Sequence, residues 1–380
     1  MSEAYIVDGV RTPFGRRQGG LSTVRPDDLA AHTLKALVKR RDLDPLEVED
    51  IRLGCVTQVG EQGYNIGRLA PMIAGFPVEV PGVTVNRMCA SSLETVNQAA
   101  QAIMANVHDI VIAAGVESMS RVPMGSDGST FSDDLLKQYN IIPQGLSAEL
   151  IAEKWHLTRE ALDSFSYQSH QRAVASQKAG YFAREIVPVE VVQADGSKAV
   201  ISHDEGPRGD TTLEKMSTLR TVFKPDGVVT AANSSQITDG STALILASED
   251  AVRRHDWTPR GRVVAMSVVG VDPIIMLTGP IPATANVLAK AGLQFSDMDV
   301  IEINEAFASV VLAWGAEYDP DWDRVNPHGG AIALGHPLGA SGGRLVLTAL
   351  NHLEETRGRY GLITMCIGWG MAVATIIERL

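Results

Sequence analysis

Cysteine is scarce in this sequence, and what there is lies scattered. Cys55, Cys89 and Cys366 form no CxxC pair. Neither a disulfide framework nor a structural zinc site is expected, no metal is assigned, and a reduced thiol role is favoured. Net positive charge is also lacking. At −12 the balance argues against a general nucleic-acid surface, while leaving room for a local basic pocket that holds a phosphorylated ligand. No stretch approaches the roughly 18 apolar residues of a membrane span. The N-terminal MSEAYIVDGV has neither the basic nor the apolar segment of a signal peptide, and the closing IERL is not an SKL-type address, so the expected compartment is the cytoplasm. Aromatic residues are sparse and glycine abundant, which suits an α/β protein with many tight strand-to-helix turns. The length predicts two or three domains, or one large duplicated one.

What is present is organised around residues 83–93, VTVNRMCASSL. Val83, Thr84 and Val85 favour a strand and lead into Cys89. Leu93, Val96, Ala100, Ile103 and Met104 then recur on one helical face. A cysteine where a strand turns into a helix sits at the positive helix end, which predicts a stabilised thiolate and a lowered pKa. Residues 109–115 (DIVIAAG) form a continuous apolar strand and complete a βαβ unit. Before it, residues 4–8 read as a strand. A helix is predicted from Pro26, with Asp27 and Asp28 in its first turn, Lys39, Arg40 and Arg41 in its last, and Leu29, Leu34, Leu37 and Val38 inward. Residues 51–57 read as a buried strand that contains Cys55. Nothing near Cys55 would activate it, so it reads as a core thiol.

From about Glu117 the chain turns more polar. Helices are predicted over 146–156 and 158–178, the second capped by Thr158. His156 and His170 read as surface or loosely packed. A strand is expected over 186–192 and a long charged loop over 202–226, which predicts an inserted lid-like subdomain. Residues 230–241 (TAANSSQITDGS) are either a ligand-binding run of backbone and hydroxyl groups or simply tight turns.

The last third repeats the first. Residues 262–271 and 298–303 read as strands, the second running into Asn304, Glu305, Ala306 and Phe307 and then an all-round apolar helix. A glycine-rich turn over 326–344 carries His336 and precedes a helix with Leu345, Val346, Ala349, Leu350 and Leu353 inward. Strands over 360–370, holding Cys366, and 372–378 close the chain. The expected organisation is two similar α/β halves, 1–118 with 241–250 and 251–380, around an insertion at 119–240. The reactive turns would meet between the halves.

A cysteine nucleophile needs a basic partner and donors for a developing oxyanion. Among nine histidines His336, in the middle of the glycine-rich turn, is the best partner. Cys366, before Gly-Trp-Gly, is either an acid/base thiol or a small core residue. Gly368 is a natural oxyanion donor, and Asn304, which does not titrate near neutral pH, suits hydrogen bonding to a carbonyl or a water.

At this point VNRMCASS around Cys89, NEAFA at Asn304, GGAIALGHPLGASG around His336 and CIGWG at Cys366 together resemble the thiolase family along essentially the whole chain. EQGYNIGR, VVGVDPIIM and CIGWGMAVATIIERL are most similar to degradative 3-ketoacyl-CoA thiolases. The resemblance implies a duplicated αβαβα layered fold with mixed sheets. It implies ping-pong acyl transfer in β-oxidation of fatty acids or related lipids, with an acyl-Cys89 intermediate, His336 as its activator, Cys366 as the proton-moving thiol, and Asn304 and Gly368 as oxyanion donors. By position, Arg208 and Ser235 would contact CoA, and Met276 and Phe307 would bind substrate. No permanently bound cofactor is implied; coenzyme A is a co-substrate. Expected partners are acyl-CoA, CoA and a second copy in a homodimer or homotetramer, with association with other β-oxidation enzymes also open. The family's third glycine after its second cysteine is Met371 here. Where acetoacetyl-CoA-specific members carry His-Met-Gly, this chain has Pro143-Gln144-Gly145, which weighs against the alternative, a biosynthetic acetyl-CoA C-acetyltransferase. A cysteine hydrolase and a non-catalytic acyl-CoA-binding protein are the competing classes.

Overall fold

The computed structural model describes residues 2–128, 130–192 and 196–380. The first half carries β1 (Tyr5–Arg11), β2 (Gly15–Arg16), α1 (Pro26–Arg41), β3 (Asp50–Gly54), α2 (Ile66–Ala74), β4 (Gly82–Val85), α3 (Ser91–Met104) and β5 (Ile110–Ser118). The inserted region holds α4 (Asp133–Gln138), α5 (Gln144–Lys154), α6 (Arg159–Lys178), a small hairpin of β6 (Val189–Val192) and β7 (Lys198–Ile201), and α7 (Leu213–Ser217). The chain then returns through β8 (Thr238–Ala247) and α8 (Glu249–Arg254). The last third holds β9 (Gly261–Gly270), α9 (Pro280–Ala291), β10 (Met298–Ile303), α10 (Ala308–Tyr318), α11 (Ala331–Leu334), α12 (Ser341–Thr356), β11 (Tyr360–Ile367) and β12 (Met371–Arg379).

Strand pairing exposes the duplication. In the first half the order β3-β5-β8-β1 is parallel, antiparallel, antiparallel. In the second half β10-β11-β12-β9 repeats that order and sense. The two sheets meet at one edge, where β1 pairs with β9 at Tyr5 and Ile6. The helices complete the layers. One apolar cluster packs α3 against α12 between the sheets, through Leu93, Val96, Leu345 and Leu350. A second buries the inner face of α1 (Leu29, Leu34, Leu37) on the outside of the first sheet. A third does the same for α9 and α10 on the second, through Val287 and Trp314. The result is an αβαβα stack with α3 and α12 at its centre. Their contact is close because a Cβ at Gly342 would run into the backbone of Leu93.

Several boundaries differ from the sequence reading. The ten residues of β8 and the whole of α9 carry no clear signal in the sequence. The first begins in the polar TDGS, and the second carries two prolines, at its first and third positions, where a helix tolerates them. Cys55 lies one residue beyond β3 rather than within it, and is fully buried. The strand expected over 186–192 forms only over Val189–Val192, and the charged loop contains α7. His170 is not loosely packed: it is 5% exposed and accepts the Arg208 backbone N–H at Nδ1, 3.1 Å away. Met371, despite its size, begins β12 in register with Ile367 and Gly270. Among the described residues no helix is long and apolar enough to cross a membrane.

The inserted region is tied to the core by a buried charge cluster. Arg11 forks onto Asp204 through Nη1 (2.6 Å) and Nη2 (2.8 Å) and reaches Glu185 through Nε (2.7 Å). All three are essentially excluded from water. A guanidinium so placed stays charged because both carboxylates offset its desolvation.

Candidate active site

Cys89 stands two residues ahead of α3, on a turn held by side chains. Asn86 Oδ1 accepts the Met88 N–H at 2.8 Å, and Ser91 Oγ accepts the Arg87 N–H at 3.0 Å. Met88 takes a left-handed φ of 47°, an uncommon conformation for a residue of its kind and one that the surrounding bonds impose. The backbone N–H groups of Gly368 and of Cys89 itself act to lower the pKa of the Cys89 thiol. The lowered pKa expected from the helix end is not found. Burial outweighs both hydrogen bonds and pushes the thiol up to about 11. At pH 7 only about one Cys89 in 10⁴ is then thiolate, so a base must take the proton as the sulfur reacts.

His336 follows α11 and is 4% exposed. Burial, with Arg344 adding like-charge repulsion, holds its pKa down to about 3, so the ring is neutral at physiological pH and able to accept a proton. Its Nδ1 lies 2.6 Å from Ser341 Oγ and its Nε2 lies 3.3 Å from Asn304 Nδ2. Asn304, at the end of β10, is fully buried, yet its Oδ1 has no hydrogen-bond partner. A buried acceptor left open beside the histidine is suited to a bound water or a ligand N–H. Cys366 is the penultimate residue of β11 and fully buried. Burial and the nearness of Cys89 raise its pKa further than that of Cys89.

Two buried carboxylates hold these turns in register. Glu117 accepts the N–H groups of Val56 (3.0 Å), Thr57 (3.1 Å) and Gly339 (2.9 Å) and the Gln62 amide (2.7 Å). That ties the His336 loop to the end of β5. The loop lies so close that a Cβ at Gly339 would collide with Val116 O. Glu305 accepts from Ser169 Oγ (2.7 Å), Asn326 Nδ2 (2.9 Å) and Ile332 N (3.1 Å), fixing the glycine-rich turn from the other side.

Cys89 and Gly368 open onto a cavity of about 690 Å³. Met124, Phe131, Phe223, Met276, Phe307 and Trp369 give it a largely apolar wall, and Phe131 meets Trp369 edge-on at 5.2 Å. Of the residues singled out from sequence, Cys89, Gly368, Met276 and Phe307 line this cavity; His336, Asn304 and Cys366 are buried and do not line it, though Cys366 lies near enough to Cys89 to feel its charge. Arg208 and Ser235 do not line it. Arg208 is exposed, and Ser235 donates its backbone N–H to Ala306 O at 2.9 Å. Sequence reasoning missed Ser341, Glu117, His170 and Phe223. Only Ser341 had a signal available, its place one helical turn beyond His336-Pro337.

A cavity-lining thiol with a second thiol close to it, backbone N–H groups that favour its charged form, and a neutral buried histidine suit nucleophilic acyl transfer. Comparison with known proteins agrees. The thiolase N-terminal domain family matches residues 4–250 and the thiolase C-terminal domain family residues 257–379. The chain is 47% identical to a beta-ketoadipyl-CoA thiolase of Acinetobacter baylyi, over 100% of both chains. It is 48% identical to the steroid 3-ketoacyl-CoA thiolase FadA6 of Mycobacterium tuberculosis, over 100% of this chain and 95% of that one. Among solved structures, a Bacillus anthracis acetyl-CoA acetyltransferase superposes with a TM-score of 0.94 at 37% identity, and human mitochondrial 3-ketoacyl-CoA thiolase with 0.92 at 38%; each match covers 100% of this chain and 99% of the other. The chain belongs to the thiolase family and is an acyltransferase.

Proposed function

We propose that this protein cleaves 3-ketoacyl-CoA esters with free CoA, releasing acetyl-CoA and an acyl-CoA two carbons shorter. The observation that carries the reading is the cavity lined by Cys89 and Gly368, with Cys366 close to Cys89 and a buried, neutral His336 paired to Asn304. His336 Nε2 takes the Cys89 proton as the sulfur attacks the 3-keto carbon. The resulting oxyanion is held by the N–H groups of Cys89 and Gly368. The C2–C3 bond breaks, its electron pair passes into the enolate of acetyl-CoA, and Cys366 protonates C2. The Cys366 thiolate then takes the proton of an incoming CoA thiol. CoA sulfur attacks the acyl-cysteine, and Cys89 leaves and recovers its proton from His336. Asn304 presents its amide to the enolate oxygen directly or through water. The inserted region, residues 119–240, covers the CoA moiety in this reading, and Arg208 and Ser235 contact it. The protein works in the cytoplasm as a homodimer or homotetramer.

The acyl group is apolar and longer than acetyl. The described lining residues include Asp127 but no Lys, Arg or His. A carboxylate tail buried there would face a like charge without a partner. A thiolysis panel of acetoacetyl-CoA, long-chain 3-ketoacyl-CoA and 3-ketoadipyl-CoA tests both statements. The expected order of kcat/KM is long-chain first, then acetoacetyl, then 3-ketoadipyl. Activity confined to acetoacetyl-CoA would instead establish the biosynthetic acetyltransferase, and CoA-independent hydrolysis would overturn acyl transfer altogether.

A further inference from the structure

The reaction scheme leaves one buried neighbour of His336 without a task. Ser341 is the first residue of α12 and is 1% exposed. Its Oγ lies 2.6 Å from His336 Nδ1 and 2.9 Å from Pro337 O. A serine hydroxyl has one hydrogen and can serve only one of these neighbours as donor. With the hydrogen on Pro337 O, the Ser341 oxygen accepts Nδ1–H and leaves Nε2 bare, beside the Asn304 amide. With the hydrogen on Nδ1, the ring must carry its proton on Nε2 and has no lone pair to offer a thiol.

The intermediate state separates the two. When Nε2 takes the Cys89 proton the ring becomes an imidazolium, and both nitrogens are then donors. At 4% exposure the Nδ1–H needs an acceptor inside the protein. Among the described residues Ser341 Oγ is the only hydrogen-bond partner of Nδ1. Only the arrangement with the hydroxyl turned to Pro337 O satisfies it. Pro337 O takes that third donor at the end of α12, where it already accepts the N–H of Ala340 (2.9 Å) and of Ser341 (3.0 Å). The charged group that acts on the ring is Arg344, one turn along α12, whose buried partner is Glu302 from β10 (3.0 Å); Glu117 reaches the loop through Gly339 N. None of them has a hydrogen bond to either ring nitrogen.

We propose that Ser341 is a positioning residue. By accepting Nδ1–H and passing its own hydrogen to Pro337 O, it fixes the tautomer in which His336 Nε2 exchanges protons with Cys89. The inference rests on the roles given to Cys89 and His336 above, but its test needs no substrate, so it can fail while the thiolase reading stands, and the reverse.

The test is the rate of Cys89 alkylation by iodoacetamide between pH 5 and 9 in the full-length protein, for wild type, Ser341→Ala and Ser341→Thr, with thermal melting as a check on folding. Wild type should show a base-assisted rate that is nearly flat around neutral pH. In Ser341→Ala that flat region should disappear, leaving a rate that rises about tenfold per pH unit and is at least about 10-fold lower at pH 7. Ser341→Thr, which keeps the hydroxyl, should recover the flat region. An alanine variant that folds and keeps the wild-type profile within about twofold overturns the proposal. So does one that loses turnover with the profile unchanged, because that is a merely structural effect. Should the alanine variant not fold, the ¹⁵N shifts of the His336 ring in wild type decide, assigned against His336→Asn. A bare Nε2 with a protonated Nδ1 upholds the proposal, and the opposite tautomer overturns it.

Discussion

The turn that carries Cys89 and the strand end that carries Cys366 are two versions of one design. Each cysteine is buried next to a sharp turn with a left-handed residue that is not glycine, Met88 (φ 47°) in one and Trp369 (φ 66°) in the other. Both of those residues line the cavity. The sulfurs differ in what reaches them. Two backbone N–H groups, one from each half of the molecule, act to lower the pKa of Cys89; only its own acts to lower that of Cys366. The donors hold Cys89 near 11, while burial and the neighbouring sulfur drive Cys366 higher. The thiol better supplied with donors is the one suited to carry negative charge and then an acyl group. In the proposed reaction the thiol with fewer such groups is the one that would hold its proton and deliver it. Cys55 marks the baseline: it is buried and does not line the cavity, and desolvation first, then the charge of Glu117, raises its pKa.

The comparison breaks first at the nucleophile. Cys89→Ala should lose thiolysis by more than about 10⁴-fold while retaining its fold. Turnover in that variant, measured by acetyl-CoA release, would reassign the nucleophile. Cys366→Ala should lose about 10²- to 10⁴-fold, the range of a missing general acid–base, and single-turnover mixing should still show Cys89 accepting an acyl group from an acyl-CoA. Asn304→Ala removes one donor to a developing oxyanion and should cost about 10²- to 10³-fold in kcat with KM little changed.

These residues were legible in the sequence because each lies at a strand or helix end marked by glycine or small residues. The halves were legible too, since the pattern of strand, reactive turn, helix and strand occurs twice. The electrostatics were not. A helix end is visible in VNRMCASSL, but the burial that overrides it comes from α12 and β11, some 250 residues later. β8 was hidden because its polar start shares the composition of a turn, although every one of its ten residues is buried. His170 could not be paired with Arg208 by inspection, as that contact depends on how α6 meets the charged loop. Ser341 looked like one more small residue in GASGG.

Smaller effects sharpen the account. Gly145 faces the Phe223 ring so closely that any Cβ would collide with it. Gly145→Met should therefore narrow the cavity and lower kcat/KM for long-chain 3-ketoacyl-CoA by about 10-fold or more, with acetoacetyl-CoA much less affected. An equal loss on both substrates would show that the wall at Gly145 does not set acyl length. The smallest effect concerns stability. The Cys89 pKa is raised on folding from 9.0 to about 11, so the unfolded chain releases this proton first. Its contribution is fully present below pH 9 and is lost as pH rises through about 11. Between pH 8.5 and 10.5 the melting temperature of wild type should fall more steeply than that of Cys89→Ala. Parallel curves would mean that the thiol is not desolvated as described.

The division of labour between the two thiols is tested most directly by trapping the intermediate. Cys366→Ala is incubated with a long-chain acyl-CoA, quenched in acid and digested, and the peptides are read by mass spectrometry. The acyl mass should appear on the peptide that contains Cys89, and the same peptide should be labelled in wild type. An acyl group on Cys366 in wild type, or none on Cys89 in either protein, would contradict the account.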